Sequence, residues 1–131
     1  MKTKVGINGF GRIGRLVFRA AETRDDVEIV AVNDPFMTPD YMAYMLRYDT
    51  VHGQFRGEIS HEDGALIVNG RRVAVFAERE AGGIPWGDVG AEYICECTGQ
   101  HLTKEKCQGH IDAGAKHVNM GVNNDRYTSD M

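Results

Sequence analysis

The sequence predicts an α/β fold: a doubly wound, mostly parallel sheet carrying a β-hairpin insertion. Three observations predict it. Apolar runs of strand length alternate with helical patterns from the amino terminus onward. A G-x-G-x-x-G string (Gly9, Gly11, Gly14) stands between the first apolar run and the first helical pattern. An acid, Asp34, follows the second apolar run, twenty residues beyond Gly14.

The elements follow in order. Val5 and Ile7 mark a first strand. A helix is expected over residues 12–22, where Ile13, Leu16, Val17, Ala20 and Ala21 recur at three- and four-residue spacing. The polar Arg24-Asp25-Asp26 turn ends it, and residues 27–32 form a second strand. Thr38-Pro39-Asp40 reads as a helix start, with a capping hydroxyl and proline at the first helical position, and Tyr41, Met42, Met45 and Leu46 as the apolar face. Residues 65–68 and 73–76 flank Asn69-Gly70, a hairpin signal because both turn residues tolerate positive φ. Residues 84–87 read as a bend, 93–97 as a strand closed by Thr98-Gly99, 103–113 as a helix ended by Gly114, and 116–120 as a last strand. The domain is expected over 1–120, with 121–131 a polar tail. In such a Rossmann-like sheet the ligand crevice lies beyond the carboxyl ends of the strands. That brings the Asn8–Gly14 turn, Asn33-Asp34-Pro35 and Cys97-Thr98-Gly99 to one edge.

The glycine string carries chemistry in this setting. Gly9 permits the tight turn out of the strand, Gly11 lets the backbone approach a pyrophosphate, and Gly14 lets the helix pack closely on the strand. The helix amino terminus offers N–H groups and a positive dipole end to phosphates. Asp34 can accept hydrogen bonds from both ribose hydroxyls of an adenosine. Its charge would repel a 2′-phosphate, which favours NAD over NADP. Arg12 could accommodate a phosphate but lies at the pyrophosphate end of the turn. The plain alternative is an ordinary tight turn with a solvated acid.

Fifteen Lys plus Arg stand against nineteen Asp plus Glu, a net charge of −4 with no basic block. Nucleic acid and anionic membrane are therefore disfavoured as partners. No apolar run approaches a membrane span, and no secretory leader is visible at the amino terminus. With three cysteines, an odd number, this points to a reducing, cytoplasmic setting.

Cys95 and Cys97 lie two apart on a strand and so face the same side; Cys107 follows in the next helix, with His101 and His110 nearby. A catalytic thiol needs a lowered pKa, and the plain reading is that these are small packed residues. A zinc site from Cys95, Cys97, His101 and Cys107 is the alternative, but its spacing does not fit the usual C-x₂₋₄-C pairs. His52 and His61 sit in polar context and read as solvated. No catalytic residue and no metal site is assigned.

The string Val5-Gly6-Ile7-Asn8-Gly9-Phe10-Gly11-Arg12-Ile13-Gly14-Arg15 resembles the amino-terminal, NAD-binding domain of the glyceraldehyde-3-phosphate dehydrogenases. So do Val32-Asn33-Asp34-Pro35-Phe36, Tyr48-Asp49-Thr50-Val51-His52-Gly53, Glu78-Arg79-Glu80, Trp86-Gly87, Glu96-Cys97-Thr98-Gly99 and Gly114-Ala115-Lys116-His117-Val118. The resemblance covers nearly the whole chain. It implies a cytosolic glycolytic homotetramer that oxidises an aldehyde with NAD and phosphate through a cysteine thioester. It also implies that the backbone at Arg12 and Ile13 holds the pyrophosphate, that Arg79 lies beside the adenine, and that Thr98-Gly99 lies near the nicotinamide ribose. Asn8, Gly9, Gly11, Gly14 and Asp34 complete the cofactor-binding candidates.

The sequence departs from that family in two places. The nucleophile string S-C-T-T-N-C, which follows M-G-V-N in the family, has no counterpart after Met120-Gly121-Val122-Asn123. His117-Val118 also runs almost directly into Met120-Gly121, where the family carries a longer stretch, so an internal deletion near 118–120 is expected. Three readings follow: the cofactor half of a dehydrogenase, inactive without a complementary catalytic chain or the missing half; a non-catalytic NAD-binding or subunit-interaction module; or a truncated or engineered product. A homo-oligomer, or association with a complementary catalytic chain, is expected.

Overall fold

The computed structural model describes residues 2–49, 53–54, 57–97 and 104–120. β1 (Thr3–Asn8) runs into α1 (Arg12–Glu22), and β2 (Val27–Asn33) returns parallel to β1. α2 (Pro39–Arg47) follows, then a two-residue ladder of β3 (Tyr48–Asp49) with β4 (Gly53–Gln54). β5 (Ile59–Glu62), β6 (Ala65–Val68) and β7 (Arg71–Phe76) form an antiparallel meander. Two short 3₁₀ turns lead to β8 (Tyr93–Glu96), α3 (Lys104–Asp112) and β9 (His117–Met120). The seven-stranded sheet has the order β5-β6-β7-β2-β1-β8-β9, parallel from β7 to β9.

The expected hairpin is therefore no appendage. Its second strand, β7, pairs parallel with β2 and belongs to the main sheet. Asn69 (φ 52°) and Gly70 (φ 82°) make the turn, both with the positive φ that such a two-residue connection requires. β5 was not expected from the sequence. Its Ile-Ser-His-Glu run buries only Ile59, as an edge strand with one covered residue does.

The chain reverses direction across the sheet at β1. From β1 it moves to β2 by way of α1, and from β8 it moves the other way, to β9 by way of α3. Strand order therefore changes direction between β1 and β8, where α/β sheets open their ligand crevice. α1 and α2 cover one face, over Val5, Ile7, Ile29, Leu66 and Val73. The other face carries Ala31, Ala74 and Ile94 beneath Trp86, Ile84 and the carboxyl end of α3.

The helix faces differ in detail from the expected stripes. α1 buries Gly14, Phe18 and Ala21, while Leu16 and Ala20 are exposed. Gly14 must face β1, and that fixes positions four and seven residues on as the buried face. α2 buries Met42, Ala43 and Leu46, and Tyr41 lies at the exposed rim. Residues 84–87 hold more than a bend, because Ile84 and Trp86 are fully buried. Trp86 lies on β1 where Gly6 has no side chain: a Cβ there would come within 2.4 Å of Trp86 Cζ3. α3 ends at Gly114 (φ 116°) as expected, since the Gly114 and Ala115 N–H groups close back onto Ile111 and His110. The tail, 121–131, lies outside the described residues.

Candidate cofactor site

Three strand ends meet at the carboxyl edge of the sheet. Asn33, Asn8 and Glu96 share one register row across β2, β1 and β8. In parallel strands that places their side chains on one face. The backbone ties the same ends together: Gly9 N–H donates to the Asn33 carbonyl, and Cys97 N–H to the Asn8 carbonyl, both at 2.7 Å.

The glycine turn is tight and could hold a pyrophosphate on its backbone N–H groups. Gly9 adopts φ 99° and turns the chain out of β1. Gly14 has no room for a side chain, since a Cβ would lie 2.0 Å from the Gly9 carbonyl oxygen. Gly11 is the opposite case, because a Cβ there would meet nothing within 4 Å. One glycine thus closes the helix onto the strand, and the other faces open space outside the turn. α1 starts at Arg12 with no side-chain cap and no acid in its first turn. The N–H groups of Arg12, Ile13 and Gly14 precede the first helical bond, Arg15 N–H to the Gly11 carbonyl. They have no carbonyl of their own helix to donate to. The donor set therefore fits a bound anion.

Asp34 is buried, and both carboxylate oxygens are held by backbone. Oδ2 accepts from Phe10 N–H and Oδ1 from Phe36 N–H, each at 2.9 Å. The acid is thus fixed in orientation, with further lone pairs left to accept from a ribose. Arg79 lies near the same edge, its guanidinium 5.8 Å from the centre of the Phe36 ring. Phe36 is 78% exposed, the most exposed of the large apolar residues described. Thr98 and Gly99 lie outside the described residues. The remaining candidates, Asn8, Gly9, Gly11, Arg12, Ile13, Gly14, Asp34 and Arg79, converge on this edge.

Sequence reasoning passed over Asn33, Phe36, Glu96 and His110 as site residues. Asn33 and Glu96 did carry a signal, as polar residues ending otherwise apolar parallel strands. Cys95 and Cys97 are packed, as expected. Cys95 and Cys97 lie against the same core cluster. Burial raises the Cys95 thiol and pushes Cys97 up to about 12, helped by the neighbouring Cys95 and Glu96 charges. Neither is poised as a nucleophile. Among the described residues no group of three or more His, Cys, Asp or Glu could hold a metal ion. His101, His52 and the Cys107 side chain lie outside the described residues, and His61 is exposed. No helix among the described residues is long and apolar enough to cross a membrane.

Comparison with known proteins agrees with this geometry. The family model described as glyceraldehyde 3-phosphate dehydrogenase, NAD binding domain, matches residues 3–104. A glyceraldehyde-3-phosphate dehydrogenase of Ogataea parapolymorpha is 49% identical over 143 aligned positions, covering 100% of this chain and 43% of the relative. One of Aspergillus niger is 52% identical over the same span and shares. Glyceraldehyde-3-phosphate dehydrogenase 1 of Mucor circinelloides f. lusitanicus is 56% identical over 118 residues, 90% of this chain and 35% of the relative. The chain thus spans less than half the length of these curated relatives. With its glycine turn, fixed acid and parallel strand order in place, it belongs to the glyceraldehyde-3-phosphate dehydrogenase family and is the NAD-binding domain of that family.

Proposed function

We propose that this chain holds NAD along the carboxyl edge of its sheet, as the cofactor-binding half of a phosphorylating aldehyde dehydrogenase. The observation that carries the reading is the pairing of open space at Gly11 with the buried, doubly held carboxylate of Asp34. The first suits a pyrophosphate over the Arg12 and Ile13 N–H groups. The second suits the adenosine ribose. Arg79 and Phe36 would flank the adenine, and the family resemblance gives Thr98-Gly99 the nicotinamide ribose. Bound NAD would supply the hydride acceptor. This chain's residues would orient it, and the thiol, base and substrate-binding groups would come from beyond the matched span. Hydride transfer needs cofactor and substrate in contact, so the 131-residue chain alone is expected to bind without turnover.

Glycolytic chemistry in a cytoplasmic setting is part of the same proposal, as is association with a second copy or a complementary catalytic chain. The exposed rings of Tyr41, Tyr44 and Tyr48 support association; the Tyr44 and Tyr48 rings meet in a tilted contact with centroids 5.1 Å apart. Calorimetric titration with NAD, and with NADP as control, tests the proposal. Micromolar to sub-millimolar NAD binding with much weaker NADP binding is expected. A folded chain that takes up neither would overturn it.

A further inference from the structure

A buried chain of hydrogen bonds crosses the sheet behind the cofactor edge. Trp86 Nε1–H donates to His110 Nδ1 at 2.9 Å, and His110 Nε2 lies 3.0 Å from Glu96 Oε1. Asn8 Nδ2 donates to the same Oε1 at 2.9 Å. Asn33 Nδ2 donates to Asn8 Oδ1 at 2.8 Å and to the Glu78 carbonyl at 2.9 Å, while Glu78 N–H donates to Asn33 Oδ1 at 2.9 Å. His110 and Trp86 are fully buried, and Asn33, Asn8 and Glu96 are nearly so.

Each orientation follows from its neighbour. An indole N–H can only donate, so His110 Nδ1 must accept and Nε2 must carry the proton. Glu96 Oε1 then accepts from His110 on one side and from Asn8 on the other. Asn8, with its NH₂ turned to Glu96, presents its carbonyl oxygen to Asn33. Asn33 in turn presents NH₂ toward Asn8, and its own oxygen is left for the Glu78 N–H. Asn33 thereby holds the Glu78 backbone by both its N–H and its carbonyl.

We propose that Glu96 is a positioning residue for the adenosine half of the cofactor, acting through Asn8 and Asn33 to set the spacing between Asp34 and Arg79. This rests on the NAD reading above. Asp34 follows Asn33 directly, and Arg79 follows Glu78. The two side chains expected at the ribose and adenine thus stand on backbone that one buried carboxylate orients from two strands away.

The test compares the full chain with Glu96→Ala and Glu96→Gln, using AMP as the probe for the adenosine half. Glu96→Ala is expected to weaken AMP binding roughly tenfold, a factor that corresponds to about 1.4 kcal/mol. Glu96→Gln should restore most of it, because its amide oxygen can accept from both Asn8 and His110. A second readout needs no ligand. In ¹⁵N spectra, Glu96→Ala should shift the backbone amides of Glu78 and Arg79, and His110 Nδ1 of the parent chain should carry the shift of an unprotonated ring nitrogen. A parent chain that binds neither NAD nor AMP would overturn the NAD reading. Glu78 and Arg79 amides that stay in place in Glu96→Ala would overturn the positioning role whether or not ligand binds. So would unchanged AMP affinity in a folded Glu96→Ala.

Discussion

The Phe10 backbone N–H donates to Asp34 Oδ2 at 2.9 Å, so the glycine turn and the acid that follows β2 form one hydrogen-bonded unit. The second oxygen accepts from Phe36 N–H, so backbone holds both oxygens. Asp34→Ala removes the acceptors of the buried Phe10 N–H and the partly buried Phe36 N–H, as well as the proposed ribose contact. It is expected to weaken NAD binding by about 1–3 kcal/mol, the usual cost of unpaired buried groups. Asp34→Asn should not rescue it, because the amide NH₂ must then face one of two N–H donors. Titration of both variants at a temperature where each is folded checks this. Undiminished affinity in Asp34→Ala would show that the acid serves only the turn.

Gly14 and Gly11 should separate folding from binding. At Gly14 an added methyl meets the Gly9 carbonyl oxygen, backbone that cannot step aside, at 2.0 Å. Gly14→Ala is therefore expected to cost 1–3 kcal/mol or more, roughly the range for overpacked positions. At Gly11 the methyl meets no protein atom within 4 Å. Gly11→Ala should keep the parent melting temperature and bind NAD more weakly, because the methyl would stand where the proposed pyrophosphate approaches. Thermal melts with and without NAD report both effects. Equal loss of stability in the two variants would contradict the assignment of separate roles.

Much of this was legible in the sequence, because local chemistry and tertiary structure demand the same residues. The glycine string, the acid at residue 34, the bounds of α1 and the Asn69-Gly70 turn each follow from short-range geometry. What periodicity missed was decided at longer range. Leu16 and Ala20 fit an apolar stripe, but the need to seat Gly14 on β1 rotated α1 away from them. Trp86 looked like a bend residue because its partner is an absent side chain, that of Gly6. Glu96 and Asn33 find each other through Asn8 only once three strands are placed in register.

The cysteine environment predicts slow chemistry. With its pKa pushed from 9.0 to about 12 by burial first and neighbouring charge second, Cys97 should alkylate at pH 8 far more slowly than a free thiol. The same shift has a pH signature. The thiol is kept neutral in the folded chain, so the unfolded chain ionises first as pH rises. The contribution to stability is complete below pH 9 and is lost between about 9 and about 12. Mass-resolved alkylation at Cys97 and alkaline melts of Cys97→Ala against the parent check both. A parent and variant that lose stability in parallel above pH 9 would show that this thiol is not responsible.

Trp86 and His110 should behave as one energetic unit. Trp86 fills the space over Gly6, and its N–H fixes which ring nitrogen of His110 carries the proton. Trp86→Phe keeps an aromatic ring over β1 but leaves His110 Nδ1 without its donor. His110→Phe leaves the Trp86 N–H without its acceptor and takes from Glu96 Oε1 one of its two donors, the Asn8 amide remaining. Each single variant should therefore lose stability, about 1–3 kcal/mol from the orphaned group alone. The double variant has no Trp86–His110 bond left to break, so its loss should fall short of the summed singles by about 0.5–3 kcal/mol, as for coupled contacts generally. Urea unfolding followed by circular dichroism across the four proteins measures this, since fluorescence loses its only tryptophan in two of them. Strict additivity would mean that packing over Gly6, rather than the hydrogen bond to His110, is what Trp86 contributes.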